Sequence, residues 1–324
     1  MNPHETNMIG IASALGASLF FTINDTVIKF LSGEYALHQV VLIRSSIALV
    51  ILLVLVVPLT GGYGQLKTRR LPLHLLRGGF VVFANLMFFL GLAALPIAET
   101  TAIFFVAPLV LTVFSVVFLG EHVGVHRWGA VIVGLIGVLV IVRPGSDSFQ
   151  LAALLPLAAA FGYASLHILT RRIGTTDGAM AMVFYIQVVF VIVSLCFGLV
   201  LGRGTFAQTS SASLDFLTRA WGPIATGDIR FFLIVGGVSF AGGFLISQAY
   251  KLCEAGLAAP FEYVAMPLSV FWGITVFGEW PDATTWVGMG LILASGLYLA
   301  WRELVVSGPP VEPRALSGGG ETLE

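Results

Sequence analysis

The chain has 324 residues, of which 57% are hydrophobic and only 10% charged, with a mean hydropathy of +0.97. Soluble domains carry about 25% charged residues, so there is too little charge here to coat a water-soluble globule. A formal net charge of −1 excludes the basic surface of a nucleic-acid binder. The two cysteines, Cys196 and Cys253, both inside apolar runs, exclude a disulfide framework. Composition predicts an all-α integral membrane protein.

A membrane-crossing helix needs about 20 mostly apolar residues, whereas barrel strands alternate over about 10. Ten unbroken apolar runs are predicted, at residues 8–31, 37–58, 75–95, 98–119, 126–143, 149–169, 178–201, 230–252, 258–278 and 285–302. The first lacks the short apolar core and cleavage site of a signal peptide and carries Asn24, Asp25 and Lys29, so it is expected to be retained. Residues 202–229 form a long Ser/Thr-rich loop with an amphipathic stretch, Leu214-Asp215-Phe216-Leu217. The tail, 303–324, holds Pro309-Pro310 and Gly318-Gly319-Gly320 and is predicted to be disordered. Ten Lys and Arg fall on the side of the N-terminus against four on the other, which predicts that both termini are cytoplasmic.

An internal repeat organises these spans. Gly120-Glu121 is followed by six residues and Trp128, and Gly278-Glu279 by six residues and Trp286, 158 residues further on. Pro108 and Pro267 precede the two signatures, and Gly-rich helices follow them. The units are 8–143 and 149–302. Five spans is an odd number, so the second unit is expected to enter the membrane upside down, the arrangement of inverted-repeat secondary transporters with a central site.

The paired Gly-Glu-x6-Trp signatures, the prolines in spans four and nine and the five-plus-five plan resemble the EamA-type members of the drug/metabolite transporter superfamily. That resemblance covers residues 8–302. It implies ten helices, a central cavity lined mainly by spans one, three, four, six, eight and nine, and transport of a small-molecule substrate across a bacterial inner membrane. Asn24-Asp25-x3-Lys29, with Arg44 in span two, resembles a subgroup that includes S-adenosylmethionine uptake carriers. The family also contains amino-acid exporters and riboflavin carriers.

A charge at the middle of a membrane helix costs about 2.5–3.5 kcal/mol on insertion scales, so each must be paired, face a wet cavity or snorkel. Asp25 and Lys29 are four apart and share a helix face: they are either a carboxylate and base on the pathway or a local ion pair. Asn24 bonds across helices under either alternative. Arg44 needs a carboxylate, Asp25 or Glu34. Arg77, at the start of span three, can snorkel; Asn85 lies deeper and is expected to face the cavity. Glu99, just after Pro96, is either an outer-gate acceptor or an interfacial cap. Phe104 is retained as an aromatic liner. Tyr163 and His167 give span six a face for stacking and proton exchange, although His167 is also close to the headgroup zone. Gln248 on span eight precedes Lys251, Glu254, Glu262 and Tyr263, where Pro260 interrupts the helix start. Glu262 and Asp25 are the candidates for proton coupling.

Pro96, Pro108, Pro260 and Pro267 mark kinked starts of spans four and nine, the expected moving elements. No phosphate-binding Gly-x4-Gly-Lys-Ser/Thr loop is present, which excludes ATP-driven transport by this chain. Glu121-His122-x3-His126 is a poor metal motif. Gly237-Val238-Ser239-Phe240-Ala241 is a near miss of a hydrolase elbow set in an apolar helix. The sequence therefore predicts a carrier that needs no cofactor; it does not fix the oligomeric state.

Overall fold

In the computed structural model, residues 3–120, 122–146, 150–173, 179–207, 211–252 and 255–306 are described. Glu121, Cys253, Glu254 and the tail from 307 lie outside them, as do the side chains of Arg171, Arg172 and Lys251. Every regular element among the described residues is helical. Without water, backbone amides and carbonyls must bond within their own segment, and the helix does that. Ten helices are long and apolar enough to cross a membrane: Glu5–Leu31, Leu37–Thr60, Leu71–Ala94, Ile97–Leu119, Val125–Val142, Leu151–Leu169, Met180–Leu201, Thr226–Ala249, Pro260–Phe277 and Ala283–Arg302. We number them spans one to ten.

Two spans are interrupted near their middles. Span four consists of Ile97–Phe104 and Ala107–Leu119, separated at Phe105-Val106. Span nine is led by Ala255–Glu262, resumes as Ala265–Trp272 and ends in a wider π turn, Gly273–Phe277. Pro108 and Pro267 follow the two interruptions. Each proline lacks the amide hydrogen that would continue the ladder, and its ring presses on the carbonyl four residues earlier. Pro260 instead sits inside an intact helix, so span nine breaks at Tyr263-Val264 and not at the expected Pro260. Pro96 stands before span four as its N-cap, with φ −56° and ψ 141°.

The signature glycines have a local task. Gly120 and Gly278 end spans four and nine at φ +69° and +67°, the left-handed helix stop that glycine adopts without a Cβ penalty. The other glycines set packing. A Cβ on Gly137 would lie 2.9 Å from the Gly288 carbonyl, and one on Gly288 only 2.3 Å from Ile141. Spans five and ten therefore meet backbone to backbone, the close approach that small residues permit.

Span one packs along span eight, three along six, two along seven and five along ten. Span four also leans on six, and nine on one, while the halves of four and nine that begin at Ile97 and Ala265 touch each other. The long loop is more ordered than its composition suggests. Ala212–Thr218 is a helix with Phe216 buried, and the Ser213 hydroxyl donates to the Leu90 carbonyl at 2.6 Å. Further along, the Trp221 indole donates to His38, the Gln39 amide to the Gly222 carbonyl at 2.7 Å, and Arg219 to the Ser32 carbonyl at 2.9 Å. The amphipathic stretch thus holds the loop down across the bundle face opposite the N-terminus.

Candidate functional site

The two interrupted spans bring aromatic rings to the middle of the bundle. Phe104, the last residue before the break in span four, meets Phe88 of span three at 5.2 Å and Tyr163 of span six at 5.5 Å between ring centroids, both edge-on. Tyr163 in turn contacts His167, one turn along, at 4.6 Å. Edge-to-face pairs of this kind align ring edges with ring faces and leave a partly polar aromatic wall. Phe105 touches Tyr263 of the other break at 5.0 Å. Tyr163 is within electrostatic reach of both Glu262 and Arg77. Glu262 is half-buried, and its carbonyl, at the end of the first part of span nine, faces the Ser18 hydroxyl of span one at 3.5 Å. Nearby, the Trp272 indole donates to the Thr22 hydroxyl at 3.3 Å.

Tyr163, His167, Phe104 and Glu262 therefore gather where spans three, four, six and nine converge. Tyr263 belongs beside them but turns into packing: a Cβ on Gly296 of span ten would come within 2.0 Å of its hydroxyl. Gln248 is half-buried in the last turn of span eight. Asn85 is not part of this cluster. It lines a shallow groove between spans two, three and seven, with His38, Phe89, Phe190 and Ser194, and its amide donates to the Val81 carbonyl at 3.1 Å.

A second group is buried nearer the opposite face. Asn24 donates to the Asp25 carboxylate at 3.0 Å. Arg44, only 4% exposed, lies in the electrostatic field of Asp25, with its guanidinium 4.9 Å from the Phe190 ring and 5.3 Å from that of Phe89. Cation–π contact compensates part of the cost of burying such a charge. Of the two carboxylates weighed for Arg44, Asp25 is the neighbour.

Lys29 does not pair with Asp25. Its ammonium meets Glu279 at 2.8 Å, with side chains 11% and 27% exposed, and also donates to the Leu95 carbonyl. The other Glu279 oxygen accepts the Ile97 amide hydrogen at 3.0 Å, supplying the first turn of span four with an acceptor. One carboxylate from the second signature thus ties span one, the start of span four and the end of span nine together. Beside it Arg143, after span five, pairs with Asp282, which also caps span ten through the Thr285 amide at 2.8 Å. The Arg143 guanidinium, together with the Thr285 and Thr284 hydrogen bonds, holds the Asp282 carboxyl well below the usual carboxylate range. Glu99 feels Arg143, Asp282 and Lys29. On the same face the Tyr35 hydroxyl donates to Asp228 at 2.6 Å, which pushes the phenol above its ordinary value.

Sequence reasoning missed Glu279, Asp282 and Arg143 as interacting residues. The available signal was the Gly-Glu signature itself, which marked the repeat without revealing what its acid binds.

Residues 8–143 match the EamA-like transporter family. A riboflavin transporter of Vibrio cholerae is 30% identical over 89% of this chain and 92% of its own length. An S-adenosylmethionine uptake transporter of Rickettsia conorii is 26% identical over 92% and 95%, and a pseudopaline exporter, CntI, of Pseudomonas aeruginosa 24% identical over 90% and 95%. One solved crystal structure superposes with a TM-score of 0.61 at 15% identity, covering 92% of this chain and 98% of that one, a likeness of fold alone. Ten apolar helices and relatives that are carriers make this a multi-pass membrane transporter and not an enzyme. The chain belongs to the EamA-like transporter family.

Proposed function

We propose that the protein is a secondary carrier of a small zwitterionic amphiphile, an amino acid or an amino-acid derivative, with S-adenosylmethionine the leading case. The observation that carries this is the aromatic cluster: Tyr163, edge-on to Phe104 and His167, lies within electrostatic reach of Glu262 near the two broken spans. Aromatic faces take the apolar part of such a cargo, and a carboxylate its cationic part. The name of the Rickettsia relative supports the specific case.

Alternating access of two inverted five-helix units is the proposed mechanism. Its support is the pairing of spans: exchanging each span for the one five places along turns the one–eight contact into six–three and the four–six contact into nine–one, and returns two–seven and five–ten to themselves. The breaks beside Pro108 and Pro267 give each unit a hinge at a corresponding place. In this reading both termini are cytoplasmic in a bacterial inner membrane, the Lys29–Glu279 and Arg143–Asp282 pairs are the closed outer gate, and Asp25 or Glu262 carries the coupling proton.

A second reading has one specific observation in its favour. The Vibrio cholerae relative is a riboflavin transporter, and a planar ring system would also stack on the Phe104–Tyr163 wall. Purified protein in proteoliposomes, tested for uptake and efflux of amino acids, S-adenosylmethionine and riboflavin, separates the two. Accumulation of the zwitterions supports the first reading, and accumulation of riboflavin alone overturns it. Asp25→Asn and Glu262→Gln variants that keep the wild-type response to an imposed pH gradient would remove proton coupling through these residues.

A further inference from the structure

Arg77 lies in the second turn of span three, where a long side chain can reach the headgroups. The structure places it otherwise. Its Nε is buried without a partner, and among the described residues it makes no hydrogen bond or ion pair. Arg77, Val81, Ala84 and Phe88 recur at four-three-four spacing and so share one helix face. Ala84 and Phe88 on that face are buried, and Phe88 meets Phe104. Leu75, Leu76 and Phe83, on the remaining surface, are the exposed ones. The guanidinium therefore belongs to the chamber stripe and not to the lipid stripe. The group that shares its electrostatic surroundings is Tyr163, which Glu262 flanks from span nine.

We propose that Arg77 is the receptor for the carboxylate of the cargo, opposite Glu262, which takes the cationic group, with Tyr163 between them. The proposal rests on the zwitterion reading above and adds the anionic half of its recognition. A planar guanidinium offers two parallel N–H donors that match a carboxylate. A half-buried arginine whose Nε has no partner has hydrogen-bonding capacity left for a ligand. Because Arg77 and Glu262 come from different halves of the chain, a zwitterion held by both bridges them across the chamber.

The test uses S-adenosylmethionine and decarboxylated S-adenosylmethionine, which share the sulfonium, an amine and the adenine and differ in the carboxylate, in proteoliposomes of wild type, Arg77→Gln and Arg77→Lys. The wild type is expected to show a KM for the carboxylate compound at least about tenfold lower than for its analogue, the usual scale of a charged hydrogen bond. Arg77→Gln should erase that ratio by raising the first KM while the second stays within about twofold, and Arg77→Lys should recover part of it. A wild type that does not discriminate overturns the proposal without any variant. Arg77→Gln that weakens both compounds alike assigns Arg77 to lipid contact or packing and also overturns it, while leaving the zwitterion reading intact. A wild type that carries neither compound nor any amino acid overturns both.

Discussion

The face opposite the N-terminus and the mid-bundle aromatic cluster handle charge differently. At that face Lys29 has Glu279, Arg143 has Asp282, Arg219 has Asp215, and Glu279 additionally caps Ile97. In the aromatic cluster the Arg77 Nε is buried with no such partner, and Tyr163 of span six shares its electrostatic surroundings. Paired charges close a surface, because moving apart exposes two ions at once. A partly buried charge without a partner costs stability, and under the proposal above the cargo carboxylate would supply that partner. Under the proposed function the first region seals and the second recognises cargo.

Four predictions break or sharpen this contrast. The largest effect is expected at the wall: Tyr163→Ala should lower kcat/KM for the transported compound about a hundredfold, read as initial uptake rates in proteoliposomes, while the melting temperature in detergent moves little because Tyr163 is only half-buried. If stability collapses and uptake per folded molecule does not, the wall is packing. Next, Glu279→Gln should destabilise the protein by about 1–3 kcal/mol. This is less than the roughly 3–5 kcal/mol for a fully buried broken pair, since Glu279 is 27% exposed. It should also admit a membrane-impermeant thiol reagent to a cysteine placed at Ala98; unchanged labelling would mean that the pair does not seal this face.

The exchange Lys29→Glu with Glu279→Lys should recover the ion pair but only part of the stability, because a lysine cannot accept the Ile97 amide hydrogen. Full recovery would reduce Glu279 to a point charge. The smallest effect concerns Asp282. Its carboxyl is depressed in the folded protein by Arg143, so its contribution is present above the ordinary carboxylate value of about 4 and is lost only as pH falls through the lower folded value. The melting temperature of the wild type should therefore fall with pH below about 4, and Asp282→Asn should flatten that slope while changing stability at pH 7 by no more than about 1 kcal/mol, as for other exposed pairs.

Much of the frame was legible beforehand. The apolar runs located ten spans to within a few residues at most edges, because hydrophobic length is a local property. Pro108 and Pro267 located two interruptions, since a missing amide hydrogen breaks a helix whatever surrounds it. Pro260 was misjudged as a break because the surrounding turn absorbs it. The partner of Lys29 was not legible. Spacing offered Asp25 four residues away, and the structure supplies Glu279 at the far end of span nine. Asn85 likewise reads as a cavity residue from depth alone, while the rotation of span three against spans two and seven turns it into the lateral groove.

Composition and periodicity by themselves determined the solvent, the number of crossings and the two proline interruptions, all of which follow from the chemistry of a few neighbouring residues. Packing alone decided which charges neutralise one another, that the Arg77 Nε is buried without a partner, and that the loop helix at Ala212–Thr218 covers one face. Those outcomes depend on side chains more than a hundred residues apart meeting in space, and only the assembled bundle brings them together.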